Sequence, residues 1–166
     1  MSSLNIILDF VFRLACLLFL ARFLLQACQA DFYNPISQAV VKGTDTICAP
    51  LRKIIKPFKN LDFASFLVAW LVSALGVVAF SYLAFGSAPS ALTAVWAGMI
   101  KTLLVLLQFY KWTIIILVIA SFIAQGSYHP ALALLNQLVE PIMAPVRKVL
   151  PSLGPLDLSP MVVMLG

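Results

Sequence analysis

APLRKII at residues 49–55 and APVRKVL at residues 144–150 are nearly the same phrase, and the reading of that repetition decides the fold. Slid by 95 positions, Tyr33 falls on Tyr128, Pro35 on Pro130, Asp45 on Glu140 and Ile47 on Ile142 without a gap. Ala49-Pro50 falls on Ala144-Pro145, Arg52-Lys53 on Arg147-Lys148, and Leu61-Asp62 on Leu156-Asp157. Self-similarity at a fixed offset marks an internal duplication. Each half reads as an apolar span, an amphipathic segment, and a second apolar span opened by an aspartate. Two crossings return the chain to its starting side, so the two tandem repeats are expected to run parallel about an axis along the membrane normal.

That a membrane is present follows from composition. Of 166 residues, 63% are hydrophobic and 10% charged, and the mean hydropathy is +1.05. A soluble domain carries roughly 25% charged residues, and one of ~150 residues buries only about 70% of the surface its unfolded chain exposes. The expected class is an all-α integral membrane protein. The first charge is Asp9, which argues against a signal peptide with a basic start.

A crossing needs about 20 apolar residues. Residues 63–85 carry no charge, and 4–30 form another span that contains Asp9, Arg13 and Arg22. The third span is expected near 102–125, with 91–100 an interfacial lead-in or a helical extension. Residues 158–166 begin a fourth apolar run too short to cross at about 1.5 Å per residue, so the last helix is read as truncated. The expected organisation is a first repeat over 1–86, a connecting or interfacial segment over 87–101, and a C-terminally incomplete second repeat over 102–166.

Between the first two spans, Gln38, Lys42, Asp45, Ala49, Arg52, Lys56 and Lys59 recur at steps of four and three, on one helical face. Ile36, Val40, Ile47, Leu51, Ile54, Ile55 and Phe58 fill the other side. Such a helix suits the headgroup layer. Asn34-Pro35 supplies a cap and a pre-set first turn. Pro50, like Pro145 in the second copy, lacks an N–H and is expected to divide the segment in two. Seven of the eleven Lys and Arg residues lie in the two amphipathic segments. The positive-inside rule then puts those segments in the cytoplasm and the N-terminus outside.

NPISQAVVKGT (34–44), APLRKIIKP (49–57), LDFASFLVAW (61–70) and EPIMAPVRKVLPSLGPLDLSPMVVML (140–165) closely resemble the YggT family of small bacterial membrane proteins, also called YlmG-like. The resemblance covers essentially the whole chain. It implies a two-repeat inner-membrane protein with no established enzymatic activity. Family members are linked to envelope or osmotic stress, to cell division and, in plastids, to haem-protein maturation, and potassium uptake has been suggested. The sequence departs from strict repetition at His129, which stands where the first copy has Asn34.

Arg52, Lys53, Arg147 and Lys148 are the candidates for contact with anionic lipid headgroups or a membrane-protein partner, since Arg and Lys bind phosphate. Setting topology alone would also account for them. Asp62 and Asp157 precede apolar runs and suit helix caps, while Asp45 and Glu140 read as surface acids. Asp9 and Arg13 stand one turn apart inside a span, where pairing is expected. Arg22, Lys101 and Lys111, with Gln108, are the polar residues available to line an ion path. His129 reads as a turn residue, and Cys16, Cys28 and Cys48 show no metal spacing. No phosphate loop, nucleophile elbow or zinc spacing appears, so no enzyme, metal or cofactor is expected. The pI of about 9.3 would suit nucleic acid, but interfacial cations make lipid the simpler partner. The expected function is a non-catalytic organiser of membrane proteins; the alternative is a small potassium channel or transporter formed by a homo-oligomer.

Overall fold

The computed structural model describes residues 3–123 and 129–149, with side chains over 3–120 and 129–145. Among these residues the regular structure is α-helical: α1 Ser3–Ala27, α2 Pro35–Ile54, α3 Phe63–Phe85, α4 Ala91–Ile123 and α5 Pro130–Val149. A lone bridge between Phe58 and Leu61 closes the turn from α2 to α3. Among the described residues three stretches are long and apolar enough to cross a bilayer: Ser3–Ala27, Phe63–Phe85 and Ala91–Ala120. The chain is therefore a multi-pass membrane protein with two amphipathic helices.

Local chemistry explains most helix ends. Asn34 caps α2, its side chain accepting the Ile36 N–H, and Pro35 takes the first turn. His129 does the same for α5 through Nδ1, which accepts the Ala131 N–H at 3.2 Å. The two turns thus use different side chains for one purpose, satisfying an orphan donor of the first turn. Asp62 caps α3 at one end. At the other end Gly86 adopts φ +70°, a left-handed conformation that a side chain would disfavour.

One expectation needs correction. Pro50 does not divide α2, which runs unbroken to Ile54. A proline removes one backbone bond, and so close to the helix end most of the turns lie ahead of the gap. Of the two readings of 91–100, the helical extension is the one observed, since these residues begin α4. Ser90 Oγ accepts the Thr93 N–H, and no proline interrupts the run, so the third span starts well before residue 102. Asp157 and residues 158–166 lie outside the described residues.

α3 packs between α1 and α4. Ser65, Ala69, Ser73 and Gly76 form a stripe of small buried residues along it, and small residues let helix backbones approach closely. A Cβ at Gly76 would come within 3.0 Å of Phe12, and one at Gly98 within 2.7 Å of Ala74. Trp70 Nε1 donates to the Val95 carbonyl at 3.0 Å and ties α3 to α4. The opposite faces carry exposed Ile7, Phe10, Leu14, Leu92, Trp96 and Leu107, as lipid-facing surfaces should. α2 and α5 dock beside the bundle through Cys48 against Phe19 and Val68, and through Val139 and Met143 against Ile114.

Candidate functional site

The most concentrated chemistry lies where α2 meets α1 and the start of α3. Arg22, near the C-terminal end of α1, has a side chain only 2% exposed. Its Nη1 donates to the Val41 carbonyl at 2.9 Å and to Thr44 Oγ1 at 2.7 Å. Nη2 donates to Asp45 Oδ1 at 2.7 Å. Thr44 passes its own proton to the Val40 carbonyl. A charged side chain within an apolar helix is tolerated only when paired, and Arg22 has no carboxylate one turn away on α1. It takes its partners from α2 instead.

Asp62 completes the group. It is fully buried and accepts from both Arg52 Nε and Nη2 on α2. Ser65 donates to it through Oγ and through its backbone N–H. Arg22 Nε stands 3.9 Å from Asp62 Oδ2, beyond hydrogen-bond reach, and is a buried donor without a partner. Arg52 also donates to Gln26 Oε1 at 3.1 Å. Two guanidinium groups thus face two carboxylates and the quartet is neutral. Burial alone would push the Asp62 carboxyl up. The hydrogen bonds from Arg52 and Ser65 and the charge of Arg52 outweigh that effect and hold it below its usual value. The quartet fastens α2 to the bundle at a fixed rotation.

That rotation decides what α2 presents: Lys42 and Lys53 are exposed, together with Ile47 and Ile54. In the turn that follows α2, Lys56, Phe58 and Lys59 are exposed as well. Lys59 Nζ lies 5.7 Å from the centre of the Phe58 ring. Of the basic phrase in the first copy, Arg52 is turned into the protein and Lys53 outward. In the second copy Arg147 and Lys148 belong to the α5 backbone, with side chains outside the described residues. Pro145, like Pro50, sits inside its helix.

A second polar group lies in the spans. Arg13 Nη2 bonds Asp9 Oδ2 at 3.0 Å, and Lys101 Nζ bonds Asp9 Oδ1 at 3.2 Å. Arg13 Nη1 also reaches Gln108 Oε1 at 3.2 Å. The three residues available for an ion path do not meet. Arg22 belongs to the α2 junction, Lys101 to this group, and Lys111 lies 5.5 Å over the Trp112 ring. Among the described residues no cluster of His, Cys, Asp and Glu could hold a metal ion.

Sequence reasoning missed Thr44 and read Asp45 as a surface acid; its side chain is 56% exposed and yet paired with Arg22. The available signal was Arg22 itself, an uncompensated cation in an apolar helix with two carboxylates in the segments that follow. Comparison with known proteins adds a family-level result. A family model described as CCB3/YggT matches residues 1–83 and 96–166. An uncharacterized protein of Pseudomonas aeruginosa is 39% identical over 161 residues, covering 96% of this chain and 82% of its own length. The uncharacterized protein YggT of Escherichia coli K12 is 35% identical, covering 99% and 85% respectively. One from Vibrio alginolyticus is 34% identical over 100% of this chain and 90% of its own length. No solved structure matches the chain.

Proposed function

This chain belongs to the CCB3/YggT family, and on that premise we propose that it is a non-catalytic inner-membrane protein that presents α2 and α5 to the cytoplasmic leaflet and organises other membrane proteins there. The observation that carries the reading is the neutral quartet. It clamps α2 at one rotation, which leaves Lys42 and Lys53 facing outward, and Lys56 and Lys59 are exposed in the turn that follows. Cations near an anionic leaflet contribute about 1 kcal/mol each. The exposed Ile54 and Phe58 beside them, next to the start of the α3 span, supply apolar anchorage. In this reading Arg52 seats the helix, and lipid or partner contact falls to Lys53 and its neighbouring lysines, with Arg147 and Lys148 the counterparts in the second of two parallel tandem repeats. The cation-rich segments put the N-terminus outside by the positive-inside rule. Neighbours involved in envelope maintenance, cell division or osmotic response are the expected clients.

The test replaces Lys53, Lys56, Arg147 and Lys148 by Glu and leaves Arg52 in place so that the quartet survives. Chemical crosslinking in intact membranes, followed by identification of captured proteins and co-purified anionic lipid, should show both lost while the protein stays inserted. Unchanged capture of both rejects the reading.

A further inference from the structure

Where α1, α3 and α4 come together, three charges meet that do not cancel. Arg13 and Lys101 share the one carboxylate of Asp9, which leaves one surplus positive charge. At about 1.5 Å per residue, Asp9 lies roughly 9 Å from the start of α1 and Lys101 roughly 15 Å from the start of α4. Both positions fall inside candidate spans. An unbalanced charge there is strongly disfavoured unless something polar meets it.

The group is also open. The side chains of Asp9, Arg13 and Lys101 are 35%, 50% and 40% exposed. They border a cavity of about 120 Å³ whose wall includes Ser73, Gly76 and Gln108. Arg has five N–H donors and Lys three; the bonds to Asp9 and Gln108 use three of them. Lys101 is steadied at the rim by the Phe80 ring, 5.7 Å from its ammonium. Surplus positive charge, surplus donors and a small adjoining space describe a receptor for a small negative ion. We propose that this cavity binds a compact monovalent anion, such as chloride or formate, drawn from the aqueous phase. The bound anion neutralises the group and braces α1 against α4. The site is independent of the α2 junction and of the lysines assigned above.

Thermal unfolding of the purified full chain in a neutral detergent tests it. At constant ionic strength and pH, sodium chloride or sodium formate is exchanged for sodium gluconate, chosen for an anion too bulky for the cavity. Chloride and formate should each raise the midpoint by several degrees, as expected of a ligand well above its Kd. Lys101→Met removes the surplus charge, keeps the Asp9–Arg13 pair, and should erase the difference. Should that variant not fold, broadening of the chloride-35 resonance by the native protein, reversed by formate, reads the same site. A midpoint indifferent to the anion overturns the proposal, as does a response that survives in K101M. A response to pH alone would mean that the surplus charge leaves as a proton. An equal rise from phosphatidylglycerol added in gluconate would assign the site to a lipid headgroup. Either of these results also overturns it.

Discussion

Arg22 on α1 reaches across to Thr44 and Asp45 on α2, whereas 95 positions further along, Leu117 on α4 packs against the cluster that holds Val139 and Met143 on α5. Both junctions fasten a 20-residue amphipathic helix that begins at a proline. The first adds a neutral quartet of charges to its hydrocarbon contacts, while α5 buries Val139 and Met143 against Ile114. Hydrocarbon contact is non-directional, and the hydrogen bonds that help orient α5 come from the turn between α1 and α2, where Asn34 Nδ2 donates to the Pro130 carbonyl and the Asp31 N–H to Gln137 Oε1. A guanidinium is a rigid fork that accepts partners only in its plane, and the quartet therefore fixes which face of α2 turns outward. A buried ion pair adds little net stability, and its better-attested use is to specify register. The difference teaches that buried charge sets the orientation of α2, whereas α5 is placed by apolar packing together with hydrogen bonds to the turn between α1 and α2.

The largest effect is expected from Asp62→Ala, which leaves Arg52 and the buried Arg22 guanidinium without their shared carboxylate. Removing one partner of a buried pair costs about 3–5 kcal/mol. In detergent the melting midpoint should drop, and Cys48, fully buried in the native fold, should become reactive to thiol reagents. Acid should reach the same end without a substitution. The folded carboxyl of Asp62 is held below its ordinary value. Its contribution is therefore whole at neutral pH, persists down to the ordinary aspartate value near ~3.9, and is lost as pH falls from there through the lower folded value. An acid profile unchanged by Asp62→Ala would break the account.

Met143→Ala should cost somewhat less, about 2–3 kcal/mol at the low end for a buried methionine, because its fully buried neighbours are few. The loss should be the same across the acid range that discriminates at Asp62. A loss that varies with pH would mean the second junction also carries a charge coupling. The smallest change sharpens the comparison most. Arg22→Leu with Thr44→Val and Asp45→Asn copies the apolar chemistry of the second junction and removes one charge of each sign. Arg22 is buried but Asp45 is 56% exposed, so removing both charges together strands no buried charge, and the midpoint should move by the equivalent of about 1 kcal/mol or less. The rotation of α2 should nonetheless loosen, seen as labelling at positions on its inward face that the native protein protects. Unaltered protection would show that the quartet does not set orientation.

Some of this was legible in the linear chain because the information is local. Apolar runs over 4–30 and 63–85 announce helices that need no tertiary partner to satisfy their backbones, and the first of them ends at Ala27. Asn34-Pro35 opens a helix by chemistry confined to three residues, as does His129-Pro130. The spacing of Asp9 and Arg13 brings them together because one helical turn does so. Pro50 misled, because whether a proline divides a helix depends on what else holds the two sides. The start of α4 stayed open between a lead-in and a helical extension, because the partner that Lys101 needs within the span, Asp9, comes from another helix. Arg22 announced a need for a partner but not which of the available carboxylates would meet it.

Composition and periodicity by themselves determined that this protein lives in lipid, where the three long apolar helices among the described residues lie, and that basic amphipathic segments follow the first and the third of them. Those properties depend on neighbours within a turn or two, or on nothing but the solvent. Which way α2 faces, that Asp62 unites two arginines as well as capping a helix, and that a surplus charge borders a cavity inside the bundle were decided only by tertiary structure. The physical reason is that a charge in a membrane takes its meaning from what lies within a few ångströms of it, and those groups come from helices far apart in the chain.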